Sequence, residues 1–142
     1  MNLNLTYNQT GVYKIKLASV PESINVVDNF VDSLLSFYQI SHEVYGNIIT
    51  ALNEAVTNAI YHGNKQNPNK TITLSAEIIE SIKLICVVED EGPGFNFNIL
   101  PDPTATENLE NLTGRGVFIM KKLADQCIYN SNGNEVELHF RL

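Results

Sequence analysis

The sequence contains no tryptophan, only two cysteines, and nine lysines and arginines against 16 aspartates and glutamates, which gives a net charge of −7. This scarcity of basic residues argues against binding to nucleic acid, because contacts with phosphates require clustered lysine and arginine side chains. Cys86 and Cys127 lie far apart in apolar, strand-like runs. We therefore expect two reduced thiols rather than a disulfide or a metal-binding pair.

Long apolar runs are also missing. None approaches the roughly 20 residues that a helix needs to cross a bilayer, so we expect no membrane association. The first residues lack the basic and apolar regions of a signal peptide, which predicts a cytoplasmic protein. The length of 142 residues predicts one domain, spanning residues 1–142, with a single hydrophobic core.

Alternating apolar and polar residues predict five strands, around residues 13–17, 71–78, 82–88, 126–130 and 135–142. The short links at 80–81 and 131–134 favour two antiparallel hairpins. In the last strand the alternation places His139 on the side that faces solvent. The chain therefore carries a hairpin in its middle and a second one at its end.

Apolar residues at helical spacing predict three helices between these strands. The first is expected to begin in residues 19–22, with Ser19 as its N-cap. The second is expected to begin after Ser41 and to end in a left-handed C-cap at 63–64, and the third to run over 117–124. This order predicts an α+β fold, a two-layer sandwich in which helices cover one face of a mostly antiparallel sheet.

The second helix carries three polar residues on one face, because Glu54, Asn58 and His62 are spaced four residues apart. A carboxylate one turn from a carboxamide suits a divalent metal and a nucleophile that is to be activated. Mg²⁺ keeps most of its waters, so one amide oxygen together with substrate phosphates is enough to hold it. Taken alone, such a segment is more often an ordinary amphipathic helix with a polar outer face.

The segment Asp90-Glu91-Gly92-Pro93-Gly94 follows a predicted strand and cannot continue it. Its glycines let the backbone approach a flat ligand closely. A buried Asp90 at the bottom of such a pocket can accept a hydrogen bond from an exocyclic amine. Adenine offers one, whereas guanine presents a carbonyl oxygen at the same position. By itself, such a segment is more often only a turn.

A further glycine-containing segment, Thr113-Gly114-Arg115-Gly116, opens the third predicted helix. Free backbone N–H groups at a helix start form a site for an anion, and Arg115 adds positive charge. The preceding residues, 96–113, are polar and contain few core residues, which is typical of a functional or disordered loop. On its own the glycine-containing segment also fits a plain capped helix.

Together, in this order and at these intervals, the three segments resemble the GHKL ATPase superfamily, which includes gyrase, the heat-shock chaperone and the histidine kinases. The similarity is strongest to the bacterial anti-sigma factor serine/threonine kinases. Their pattern Glu-Ala-(Val/Cys)-x-Asn-Ala-x-x-His-(Gly/Ala) matches residues 54–63. The resemblance extends over nearly the whole chain. It implies the same α+β sandwich, with ATP held between the helices and a lid loop at about 96–113.

The resemblance also implies roles for individual residues. Glu54 would be the general base, Asn58 the Mg²⁺ ligand, and Asp90 the residue that binds the adenine amine. The remaining nucleotide-binding positions would be His62, Gly92, Gly94, Gly114, Arg115 and Gly116. One departure stands out, since most relatives carry threonine after the glycine of the last hairpin, where this chain has Asn134 after Gly133.

Three functions are compatible with this pattern. The first is an ATP- and Mg²⁺-dependent serine/threonine kinase that acts on an anti-anti-sigma (STAS-type) protein and sequesters a sigma factor. The second is a nucleotide-binding switch module that binds a partner without significant phosphotransfer. The third is a stand-alone ATPase domain of a histidine-kinase system. The presence of Glu54 favours the first over the second. The relatives are commonly homodimers, and the sequence leaves the oligomeric state open.

Overall fold

The structure is a computed structural model that describes residues 6–7, 11–94 and 112–142. The strands are β1 (Thr6–Tyr7), β2 (Val12–Ala18), β3 (Thr71–Ile79), β4 (Lys83–Glu89), β5 (Gln126–Tyr129) and β6 (Glu135–Arg141). The helices are α1 (Ile24–Leu35), α2 (His42–Asn58) and α3 (Leu112–Leu123). Most of the predicted lid, residues 96–111, lies outside the described residues, and residues 112–113 belong to α3.

The strands form an antiparallel sheet in the order β1-β2-β3-β4-β6-β5. The register aligns the apolar side chains of neighbouring strands on one face, for example Leu74 with Val88 and Val88 with Val136. Phe30 of α1 and Leu52 of α2 pack into the same buried cluster. The predicted α+β sandwich is therefore confirmed, and it arises because the period-two pattern buries one face of the sheet.

The two predicted hairpins are also confirmed, and the first has a left-handed turn. Glu80 and Ser81 have φ angles of 52° and 61°, and the amide of Ile82 donates to the carbonyl of Ile79 within a three-residue connection at 80–82. The second hairpin joins β5 to β6 through residues 130–134. Because β6 pairs with β4 as well as β5, this second turn lies next to the segment that follows β4.

His139 was expected to face solvent, and this prediction was wrong. The residue is only 8% exposed, and its Nε2 lies 2.9 Å from Oε2 of Glu137. Its strand, β6, has neighbours on both sides, and His139 is paired with Ile85 on one side and Gln126 on the other. Side chains on the outer face of a strand flanked in this way cover one another, which alternation along a single strand does not reveal.

The first helix begins differently from the prediction. Ser19 is not an N-cap residue, because its hydroxyl donates to the carbonyl of Lys70 at 2.8 Å. A 3₁₀ turn at Pro21–Ser23 precedes α1, and its N-cap, Val20, has no side-chain cap. By contrast, the predicted cap of the second helix is confirmed, because the hydroxyl of Ser41 accepts from the amide of Val44 at 3.2 Å.

The end of α2 differs as well. After Asn58 the chain continues in a π-helical turn, Ala59–Gly63, in which the amide of Asn64 donates to the carbonyl of Ala59. The φ of Asn64 is −87°, so the predicted left-handed cap at 63–64 is wrong. The left-handed residues come later, at Lys65 and Gln66. The extra π-helical turn delays the reversal of the chain, and it brings Gly63 close to the end of β4.

Both cysteines are free thiols, as predicted. In the sheet they lie on either side of Leu138, which pairs with Cys86 in one strand and with Cys127 in another. Burial raises the pKa of the Cys86 thiol to about 12 and that of the Cys127 thiol to about 11. The thiols therefore stay protonated at neutral pH and act as small apolar side chains.

Within the part of the chain that the structure describes, no helix combines the length and the apolar character needed to cross a membrane.

Gly46 offers a test of how α2 is stabilised. It lies in the helix interior, and a Cβ built there has nothing within 4 Å. Glycine in a helix interior costs roughly 0.5–1 kcal/mol relative to alanine. We therefore expect Gly46→Ala to raise the free energy of unfolding by about that amount, measured by urea denaturation with an unchanged m-value. A loss of stability would mean that this face of α2 is more crowded than the structure indicates.

Candidate functional site

Two polar side chains of α2 lie close to Gly116 of α3. Glu54 and Asn58 are one turn apart on α2, and α2 packs against α3. A Cβ at Gly116 would lie 2.9 Å from Oε2 of Glu54 and 3.1 Å from Nδ2 of Asn58. Any larger residue at 116 would push the two helices apart or displace these side chains. The glycine therefore permits a close cluster of a carboxylate, a carboxamide and a helix backbone.

The Glu54 carboxyl has a raised pKa. Desolvation by burial is the larger cause, and the nearby Arg115 guanidinium offsets it in part. A carboxylate whose pKa moves toward neutrality accepts a proton more readily than an ordinary surface glutamate. The environment of Glu54 is therefore that of a general base, with a positive charge close by.

Asn58 has an unpaired polar group. Its Nδ2 is buried and has no hydrogen-bond partner among the described residues. A buried amide without a partner costs free energy, so such a group usually points to a bound molecule or ion. The two ends of a carboxamide are assigned from their surroundings, and either end can therefore face the open side. An oxygen offered by Asn58 is the kind of ligand that Mg²⁺ accepts, so this position fits the cation.

The second cluster surrounds Asp90, which directly follows β4. Its Oδ1 accepts a hydrogen bond from the amide of Gly92 at 2.7 Å. A Cβ on Gly63 would overlap the Asp90 carboxyl group, and a Cβ on Gly92 would overlap the carbonyl oxygen of Gly63. The two glycines thus let the π-helical turn and the segment after β4 come into direct contact around a half-buried carboxylate.

Burial raises the pKa of Asp90, with a smaller upward contribution from the charge of Glu89. The hydrogen bond from Gly92 and the charge of Lys70 act in the opposite direction. The Gly92 amide donates to Oδ1, and the second carboxylate oxygen is able to accept a hydrogen bond as well. A half-desolvated carboxylate of this kind is suited to accept a hydrogen bond from an amine.

A cavity with a volume of about 260 Å³ lies between the two clusters. Its polar lining includes Asn58, His62, Asp90, Tyr129 and Asn134. Its apolar lining includes Ala55, Ala59, Val88 and Val136. Apolar walls with a few directed polar groups are typical of a site for a small organic ligand. Glu54 is not part of the lining, whereas Asn58, one turn further along α2, is.

The structure gives the predicted glycines different surroundings. Gly94 lines the cavity with a φ of +79°, and a Cβ there would overlap the carbonyl oxygen of Asn132. The third helix was predicted to begin after Gly116, but α3 begins at Leu112. The N–H of Gly114 therefore belongs to the first turn, while that of Gly116 is used inside the helix. Gly116 provides close packing rather than the free N–H group that the sequence predicted.

Two cavity or near-cavity residues were missed by the sequence reasoning. Tyr129 lines the cavity, and burial raises the pKa of its hydroxyl, with smaller contributions from the charges of Cys127 and Asp90. Asn64 is only 2% exposed and was expected merely to end a helix. A polar residue of this kind shows no local pattern, because its partners are far away in the sequence. The alternation of apolar and polar residues predicted that Tyr129 belongs to a hairpin, but it did not predict that Tyr129 lines a cavity.

Asn134, which stands where most relatives carry threonine, is held by hydrogen bonds to two other residues. Its Nδ2 donates to the backbone carbonyl of Asp90 at 3.2 Å, and its Oδ1 accepts from Nδ2 of Asn130 at 2.7 Å. Both ends of the carboxamide are therefore engaged by the protein. Where a threonine hydroxyl was expected beside the ligand, this chain has a side chain that holds the segment after β4.

Comparisons with known proteins agree with this arrangement. A family model described as the histidine kinase-like ATPase domain matches residues 17–140. The serine-protein kinase RsbW of Bacillus subtilis is 24% identical over 138 residues, which cover 92% of this chain and 86% of that protein.

The anti-sigma F factor of Geobacillus stearothermophilus is 37% identical over 90 residues, which cover 62% of this chain and 61% of that protein. The match therefore spans less than two thirds of either chain. Among solved structures, the histidine kinase domain of a blue-light activated histidine kinase from Erythrobacter litoralis EL346 superposes with a TM-score of 0.51. It is 17% identical and covers 85% of this chain and 59% of that chain, which shows a shared fold.

Proposed function

Because this chain belongs to the histidine kinase-like ATPase domain family, we propose that it is an ATP-dependent protein serine/threonine kinase of the anti-sigma factor type. In this proposal it phosphorylates an anti-anti-sigma protein of the STAS type and also sequesters a sigma factor. The observation that carries the proposal is the cavity that has Asp90 on its wall and Asn58 beside Glu54. The cytoplasmic location expected from the sequence is part of the same proposal, as is a homodimer, the state common among the relatives that the chain resembles.

The adenine end of the site is assigned to Asp90. Its second carboxylate oxygen is suited to accept a hydrogen bond from the exocyclic amine of adenine, while the Gly92 amide donates to Oδ1. The apolar residues of the cavity suit the faces of a flat ring. Gly63 and Gly94 line the cavity without side chains, and His62 also belongs to the lining.

The phosphate end is assigned to Asn58 and the start of α3. Asn58 would offer its amide oxygen to Mg²⁺, and the first turn of α3, which includes Gly114, presents free N–H groups of a helix start. Arg115 adds a positive charge near Glu54. When bound, Mg²⁺ neutralises negative charge on the phosphates of ATP.

Glu54 is assigned as the general base. The raised pKa of its carboxyl favours acceptance of a proton from the hydroxyl of a serine or threonine on the substrate. Its contact with the Gly116 backbone restricts where the carboxylate can move. Because Glu54 lies one turn from Asn58 on α2 and does not line the cavity, we place it beside the phosphates rather than beside the adenine.

Phosphosite mapping tests the proposal directly. The protein is incubated with labelled ATP, Mg²⁺ and candidate small STAS-type substrate proteins, and the products are separated after acid treatment. We expect acid-stable label on a serine or threonine of the substrate. Acid-labile phosphohistidine would support the histidine-kinase alternative. ATP binding without any transfer to these substrates would favour the switch module.

Asp90→Asn tests the assignment of adenine. The variant keeps an oxygen for the amide of Gly92, which leaves an NH₂ group facing the amine of adenine. Loss of a hydrogen bond to a charged group is expected to weaken ATP binding by about ten- to a hundredfold, as measured by calorimetry. Asp32→Asn, an exposed aspartate on α1, is the matched control. Unchanged affinity in Asp90→Asn would refute the assignment.

A further inference from the structure

The backbone of Asp90 is held from one side by the turn between β5 and β6. Its N–H donates to the carbonyl of Asn134 at 2.9 Å, and its own carbonyl accepts from Nδ2 of Asn134 at 3.2 Å. The backbone carbonyl and the side-chain amide of Asn134 thus form hydrogen bonds with the N–H and the C=O of Asp90. This matters because Asp90 lies just beyond Glu89, where the pairing of β4 ends.

The orientation of Asn134 is fixed in turn by Asn130. Oδ1 of Asn130 accepts from the amides of Gly133 at 2.7 Å, of Asn134 at 3.1 Å and of Glu135 at 3.3 Å. Its Nδ2 must then face away from these donors, and it donates to Oδ1 of Asn134. This leaves the Nδ2 of Asn134 directed at the carbonyl of Asp90. Backbone groups therefore determine the direction of every hydrogen bond in this turn.

Asn64 holds the same peptide group, between Asp90 and Glu91, from the side of β3. Its Oδ1 accepts from the amide of Glu91 at 2.7 Å. Its Nδ2 donates to the hydroxyl of Ser19 at 2.7 Å and to the carbonyl of Thr71 at 3.0 Å. The oxygen and the nitrogen of this buried carboxamide are therefore both hydrogen-bonded. The Glu91 side chain adds a further restraint, because its carboxylate accepts a hydrogen bond from the amide of Thr71 at 2.6 Å.

We propose that Asn64 and Asn134 are positioning residues that fix the carboxylate of Asp90 and thereby set the selectivity of the site for adenine. The inference rests on the proposed function, since it concerns the residue assigned to the adenine amine. Asn134 forms hydrogen bonds with the peptide groups on both sides of the Asp90 Cα, and Asn64 forms one with the peptide group that follows it. They replace the strand pairing that ends at Glu89, just before a segment containing two glycines.

The geometry explains why positioning is needed. A hydrogen bond weakens steeply as its angle departs from linear, so a displaced carboxylate loses its preference for an amine. The Gly92 amide restrains Oδ1 of Asp90 directly, but Gly92 is itself conformationally permissive and does not fix the backbone of Asp90. Asparagine supplies a donor and an acceptor without adding charge beside a carboxylate whose pKa burial already raises.

The test compares ATP with purine riboside triphosphate, which lacks only the exocyclic amine. Calorimetry on the wild-type protein is expected to give a preference for ATP of about ten- to a hundredfold, the effect of one hydrogen bond to a charged group. In Asn134→Ala and in Asn64→Ala the preference is expected to fall to about threefold or less, with most of the loss in the affinity for ATP. The matched control is Asn67→Ala, which removes an exposed asparagine whose Oδ1 accepts from the nearby amide of Asn69.

The outcomes separate this inference from the proposed function. A wild-type protein that binds ATP and the analogue equally well would refute the role of Asp90 itself. A wild-type preference that survives in a folded Asn134→Ala variant would overturn the positioning role, as would an equal loss of affinity for both nucleotides. Thermal unfolding verifies that each variant is folded. If Asn64→Ala does not fold, Asn134→Ala decides, because release of either side is expected to free Asp90.

Discussion

Replacing Glu54 by glutamine is expected to reduce phosphoryl transfer by about 10²–10⁴-fold, the usual contribution of a general base, while leaving ATP affinity nearly unchanged. Glutamine has the same shape, so its contact with the backbone of Gly116 is preserved. It cannot accept the proton of a serine or threonine hydroxyl. Because Glu54 does not line the cavity, its charge contributes little to holding the nucleotide.

The same substitution is expected to stabilise the protein at neutral pH. Burial raises the pKa of Glu54, which means that the folded state binds its proton more tightly than the unfolded state. The stability that this group contributes is therefore complete below the ordinary pKa of a glutamate and is lost as the pH rises through the raised value. Glutamine removes that loss. The attraction of Arg115 for the carboxylate acts the other way, but the net shift of the pKa is upward.

Single-turnover transfer and thermal unfolding give the two readouts. We expect Glu54→Gln to have a higher melting temperature than the wild type at pH 7, with a smaller difference in acid. Glu43→Gln is the matched control, because it makes the same change at an exposed position in the first turn of α2. Transfer that survives in Glu54→Gln would show that another group is the base. A loss of ATP binding together with transfer would indicate a disturbed site instead.

The sequence predicted the parts of the site that are local. Glu54 and Asn58 lie on one face because helical periodicity alone places residues four apart together. Asp90 was placed at the end of a strand because alternation stops and glycines follow. What these residues touch could not be predicted in the same way. The approach of Gly116 to Glu54 and Asn58 depends on how two helices pack, and no local pattern encodes that distance.

The roles of buried asparagines were the hardest to predict. Asn64 forms hydrogen bonds with residues as much as 45 positions away in the chain, at Ser19. A periodic pattern reports which face of an element is apolar, whereas a single buried polar residue contributes nothing to it. Its neighbour Gly63 favoured the interpretation of a helix end. The π-helical turn overrode that local preference, and Gly63 packs against Asp90 instead.

The start of α3 shows the same limit. Glycines at 114 and 116 are poor helix formers, so the predicted helix began after them. Packing against α2 stabilises the helix back to Leu112 and overrides these preferences. The consequence for the site is specific. Gly116 moves from the helix start into the helix, and its lack of a side chain becomes more important than its amide.

Gly92→Ala is expected to have the largest effect on the fold of the site. A Cβ at this position would overlap the carbonyl oxygen of Gly63 and lie 2.6 Å from its carbonyl carbon and 2.9 Å from Oδ1 of Asp90. The first two are backbone atoms of the π-helical turn, which cannot rotate away as a side chain can. The segment after β4 must then separate from that turn. We expect a loss of about 3 kcal/mol in the free energy of unfolding, the upper end for overpacking.

ATP affinity in Gly92→Ala should fall at least as far as in Asp90→Asn, because the amide that holds Oδ1 of Asp90 moves with residue 92. Urea denaturation and calorimetry measure the two losses. Gly46→Ala is the matched control with the opposite sign, since the same methyl group added where nothing lies within 4 Å should stabilise the protein. If Gly92→Ala instead matched the wild type in both stability and affinity, the contact between Gly63 and Gly92 would not be what shapes the adenine end of the site.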